Sequence, residues 1–81
     1  MRKAMTDEQK AIGVGMAIAA GIVMSVRGDD TLAAEILGAG GLTTVGEMRE
    51  SGVEWYDIRL CVPVLRMFRD RDERRTAKAG A

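Results

Sequence analysis

The run AIGVGMAIAAGIVMSV, residues 11–26, decides the fold, because sixteen consecutive positions carry no charge. It follows Thr6-Asp7-Glu8-Gln9, the spacing of a capping box in which the Thr6 hydroxyl accepts from the Gln9 amide and the Gln9 side chain reaches back. Asp7 and Glu8 sit at the positive end of the helix dipole. Gly28 follows Arg27 as a natural left-handed stop. The spacing predicts one helix over 7–27, apolar all round, and such a helix is covered by neighbours or by lipid. Sixteen uncharged residues span about 24 Å at 1.5 Å each, short of the ~20 residues of a membrane span. Gly13, Ala17, Gly21 and Ser25 recur every fourth position, a small-residue stripe that lets two backbones approach. The expectation is a buried helix whose Gly13, Ala17 and Gly21 form the seam between copies. A small membrane-anchored peptide is the competing reading.

Outward from this helix the chain is punctuated by glycine. Asp29 or Asp30 can cap a second helix over 31–37, with Leu32, Ala33, Ile36 and Leu37 on its apolar side. Gly38-Ala39-Gly40-Gly41 ends it. Thr44-Val45-Gly46-Glu47 repeats the capping-box spacing and opens a short helix to Ser51. Gly52-Val53 reads as a left-handed residue followed by a hydrophobic contact. A last helix starts near Glu54 and carries Ile58, Cys61, Val62, Leu65 and Phe68 on one stripe that passes through Pro63, predicting one helix kinked there. No strand-period alternation is present. The expected fold is all-α, one helical domain over 1–81 with about four helices, assembled as a homo-oligomer. Fraying is expected beyond Arg75, leaving 76–81 as a disordered tail.

Composition supports self-association. Eleven alanines and ten glycines leave few large side chains, and the aromatics are Trp55, Tyr56 and Phe68 alone. Ordering 81 residues costs on the order of 120 kcal/mol, which small side chains offset poorly within one copy. One cysteine and no histidine exclude an intramolecular disulfide, a zinc finger and His-dependent catalysis. No metal or cofactor is expected, and no catalytic residue.

The 12 basic and 12 acidic residues are unevenly placed. Residues 11–65 hold three cations against seven acids, and residues 66–81 hold six against three. The basic end interleaves opposite charges at i,i+4, as in Arg66–Asp70 and Arg69–Glu73, which suits a solvated helix better than a nucleic-acid arm. Acidic residues before the apolar run and a lone cysteine fit a cytoplasmic protein without a secretory leader.

Residues 37–53, 17 of 81, resemble a helix-hairpin-helix element: Gly41, Thr44, Met48, Gly52 and Val53 match in kind and spacing. The resemblance implies that hairpin amides hold a DNA phosphate. Ala39, Gly40 and Thr43 depart from it, standing where a glycine, a buried aliphatic and a basic residue are usual. More broadly, the chain resembles small accessory proteins of bacteriophages, including inhibitors of host defence, in its size, helical character and lack of catalytic motifs. That resemblance implies action by binding, either to a host protein or to a small nucleotide signal.

The candidate ligand site is Trp55, Tyr56, Arg59 and Arg66, an aromatic and guanidinium combination able to stack a base and hold phosphate. Thr43 and Thr44 add an anion site on helix amides, supplied across a subunit boundary. The plainer alternatives are that Trp55 and Tyr56 anchor a core or an interface, and that Thr44 is only a cap. Glu47, Glu50, Glu54 and Asp57 read as a solvated acidic face, and Cys61 as a buried inert thiol. Nucleic acid and membrane are the partners the sequence argues against.

Overall fold

The structure, a computed structural model, describes residues 5–80, with side chains through Thr76. Met1–Ala4, on which part of the leader reading falls, and Ala81 lie outside the described residues. Four helices follow in order: α1 (Asp7–Arg27), α2 (Asp30–Ala39), α3 (Val45–Ser51) and α4 (Trp55–Gly80). No strand occurs among the described residues.

Local chemistry sets each boundary. The Gln9 amide donates to Thr6 Oγ1 at 3.1 Å and the Thr6 amide to Gln9 Oε1 at 2.9 Å, completing the capping box. Asp29 caps α2 by accepting from the Leu32 amide at 3.0 Å. α1 stops at Gly28, φ 62°, whose amide donates to the Met24 carbonyl. α2 and α3 end alike. The Leu42 amide donates to the Leu37 carbonyl at 2.9 Å around Gly41, φ 70°, and the Val53 amide to the Met48 carbonyl at 3.0 Å around Gly52, φ 94°. Both are Schellman closures, which place an apolar residue just beyond the helix against one in its last turn. Leu37, Leu42 and Met48 are fully buried and Val53 nearly so.

The core gathers Leu37, Leu42, Met48, Ile58, Cys61 and Val64, with small residues of α1 against them. α1 packs on all three other helices. Its buried side is Gly13, Ala17, Ala20 and Gly21. A side chain at Gly13 would meet Ser51 Oγ at 3.1 Å, and one at Gly21 would meet Leu60 Cδ1 at 3.2 Å. The Cys61 thiol donates to the Ala17 carbonyl at 3.7 Å.

This corrects two expectations for the first helix. Gly13, Ala17 and Gly21 are not a seam between copies: the chain's own α3 and α4 occupy that close-approach surface. Nor is α1 enclosed on every side. Ile12 and Ile22 are 56% exposed, Val26 is 74% exposed, and Ile18 is exposed with them. The molecule measures 40 × 36 × 19 Å, and its thin dimension equals about two helix diameters of ~10 Å. Every helix in such a slab keeps a face in solvent.

Leu32, expected on the apolar side of α2, is also exposed. α4 continues as one helix through Pro63 and on to Gly80, past the fraying expected at Arg75. Alanine has the strongest helix propensity. The Thr76 hydroxyl donates to the Asp72 carbonyl at 2.9 Å, and Arg69 lies 3.9 Å from Glu73 in an i,i+4 pair.

Replacing Gly21 with Leu should overpack the α1–α4 contact and lower stability by about 1–3 kcal/mol, read as a lower urea midpoint at unchanged slope. Removing residues 76–81 should leave the thermal midpoint unchanged within scatter. Every described side chain from Arg69 to Thr76 is exposed, and exposed pairs contribute only ~0.3–0.5 kcal/mol.

Candidate functional site

The four candidate residues of α4 separate into two places. Trp55 and Tyr56 open the helix side by side, 55% and 70% exposed. They are adjacent in sequence and so point about 100° apart. The cation over the Trp55 indole is Arg49, with its guanidinium carbon 5.6 Å from the ring centroid. Arg49 reaches it because Gly52 turns the chain sharply between α3 and α4. Spacing sets Trp55 and Arg59 at i,i+4 on one helix face and gives no sign of Arg49, which approaches from the neighbouring helix. Arg59 is exposed on the same helix as the aromatics.

Arg66 lies eleven residues beyond Trp55, about 16 Å along the axis. It lines an open groove of about 700 Å³ with Thr43, Thr44 and Val45 from the α2–α3 turn, and with Val62, Leu65 and Arg69 from its own helix. Thr43 and Thr44 therefore share a groove with Arg66 within one chain, where the sequence reading sets them across a subunit boundary. Farther along, Asp72, Glu73 and Thr76 continue the wall. Val45, Val62 and Leu65 make the groove mainly apolar, and its rim carries both signs of charge.

The anion reading of Thr43 and Thr44 is corrected by Glu47. Its Oε1 accepts from the Thr43 amide at 3.1 Å, the Thr43 hydroxyl at 2.9 Å and the Thr44 hydroxyl at 3.2 Å. Thr44 Oγ1 in turn accepts from the Glu47 amide at 3.1 Å. An internal carboxylate already occupies the place a phosphate would take, and its charge repels a second anion. The Thr44-Val45-Gly46-Glu47 spacing contained this signal, since an acid at the third helical position turns back onto the helix start.

Cys61 is buried, and burial first, with Asp57 nearby second, pushes its thiol up to about 11. Its neutral form is the stable one at neutral pH. Among the described residues no three His, Cys, Asp or Glu side chains converge on a metal position. α1 is long and apolar enough to cross a membrane by length and composition. The chain matches no protein-family model, no curated protein and no solved structure.

Cys61 should resist aromatic disulfide reagents at about pH 8 in the native protein and react fully in urea. Ionisation of the unfolded thiol near 9.0 precedes that of the folded thiol near 11. The thiol's contribution to stability is therefore intact below the first value and lost as pH rises toward the second. Urea midpoints of the wild type and Cys61→Ala, compared at about pH 8 and about pH 10.5, should converge or cross in the direction that disfavours the wild type at high pH.

Proposed function

We propose that this chain is a non-enzymatic binding protein, an accessory inhibitor of phage type, which works as a homo-oligomer and captures a protein partner on the exposed aromatic face at the start of α4. The observation that carries this reading is the placement of Trp55 and Tyr56. In a chain with three aromatics, the two largest amphipathic ones stand outside the core, side by side. Tyr, Trp and Arg dominate the energetic centres of protein interfaces, and Arg49 and Arg59 supply the cations beside them.

The alternative ligand, a small nucleotide signal, needs a base-stacking ring and a phosphate-holding cation within one ligand's reach. Arg49 and Arg59 meet the cation half of that requirement, but Arg49 already covers one face of the Trp55 ring, and Arg66 stands about 16 Å farther along the helix. The Thr43 amide is already bonded to Glu47, which weighs against phosphate there, whether from a nucleotide or from a DNA backbone. These facts support a protein over either anionic ligand.

A photo-crosslinking amino acid at Tyr56, in cells that make the partner, should yield a discrete adduct. Trp55→Ala should weaken capture about thirtyfold or more, in line with the ~2 kcal/mol or more of an interface hot spot, while Arg66→Ala retains it. Circular dichroism of Trp55→Ala should show an intact helical fold. Calorimetry against cyclic dinucleotides should give no heat. Heat that disappears in Arg59→Ala or Arg66→Ala would overturn the protein reading in favour of nucleotide sequestration.

A further inference from the structure

The side of α1 opposite the core is an apolar stripe with an unusual internal symmetry. Glu8, Ile12, Gly15, Ala19, Ile22 and Val26 follow one another at spacings of four and three, the seam of a helix pair. All six are exposed. No charged residue interrupts the helix between Lys10 and Arg27. The four middle members read nearly the same in both directions about position 17, Ile12 mirroring Ile22 and Gly15 mirroring Ala19; at the ends Glu8 stands level with Val26, and Asp7 with Arg27.

We infer that this face pairs with the same face of a second copy, antiparallel and two-fold symmetric, with Ile12 of each chain against Ile22 of the other and Gly15 against Ala19. The inference deepens the homo-oligomeric reading above, and rests on it, by assigning the surface and register. Three observations support it. A two-fold contact is made by one patch with itself, so each residue i meets j while j meets i, and about position 17 this stripe pairs like with like over its apolar middle, Ile12 with Ile22 and Gly15 with Ala19, while Glu8 comes level with Val26 beside Arg27. Small residues in the middle layer let the two axes close, and isoleucines on both sides fill the layers next to them. Charge selects the direction. A parallel pair would set Asp7 and Glu8 against their own copies, whereas the antiparallel pair brings them level with Arg27 of the second copy and opposes the helix dipoles. No side chain at Gly15 would meet another part of its own chain within 4 Å, so this layer is open to a visitor.

The register can be read with single-cysteine probes, since Cys61 is buried with a raised thiol. Sedimentation of the wild-type chain should give twice the 8.7 kDa chain mass. Under mild oxidation, a mixture of Ile12→Cys and Ile22→Cys should form the mixed disulfide, at a yield at least tenfold above either variant alone. A dimer in which Ile12→Cys cross-links to itself would overturn the antiparallel register and leave self-association standing. A monomer at about 100 µM would overturn both. A monomer that floats with phosphatidylcholine–phosphatidylglycerol vesicles, and loses that property in Ile22→Arg, would assign the face to lipid and overturn the pairing equally.

Discussion

Everything in this fold depends on how closely α1 approaches its neighbours. Gly13, Ala17, Ala20 and Gly21 present almost no side chain, so Ser51, Leu60 and the Cys61 thiol come nearly to the backbone of α1. The large residues of the core, Leu37, Leu42, Met48, Ile58 and Val64, then come entirely from the other segments. A chain poor in bulky residues makes its interior this way: the innermost line of α1 contributes shape rather than volume, Val14, Met16, Val23 and Met24 pack half-buried beside it, and dispersion is gained through short separations. The arrangement also fixes the 19 Å thickness, because a helix that closes on three partners with one narrow side leaves its opposite side in water.

That division of labour shows what the sequence reveals and what it conceals. The ends of helices are legible because they depend on groups three to five residues apart. Thr6 with Gln9, Asp29 with Leu32, Thr44 with Glu47, and glycines 28 and 52 all stand where their spacing places them. What covers the inward face of α1 is not legible. Helical periodicity locates a core only when polar residues mark the outside, and residues 11–26 carry no charge to do so. The every-fourth-residue spacing of Gly13, Ala17 and Gly21 marks a packing surface, but spacing within one helix carries no label for which helix packs there. Val64 follows the proline and lies at the edge of the Ile58–Leu65 stripe, so periodicity does not mark it, yet it is fully buried.

The candidate site divides along the same line. Trp55 and Arg59 share a helix face by spacing, but Arg49 reaches the indole across the Gly52 turn. Thr43, Thr44 and Arg66 do come together, through the packing of the α2–α3 turn on α4 within one chain. Glu47 fills the amide pocket that would have suited an anion. Its carboxylate neutralises the helix start internally, leaving the groove beside it apolar at the floor.

The paired glycine closures after α2 and α3 bear on how the chain reaches this state. Each is made by groups five positions apart, Leu37 with Leu42 and Met48 with Val53, so both form at little loop-closure entropy. The contact between α1 and α4 joins groups 44 positions apart, as in Cys61 with Ala17, and pays that entropy in full. Folding speed is governed by such separations. The middle of the chain can therefore assemble as a local nucleus, with the contact between α1 and α4 closing later. In that order of events, changes at Gly41 or Gly52 slow the folding rate, and changes along the small-residue side of α1 chiefly accelerate unfolding.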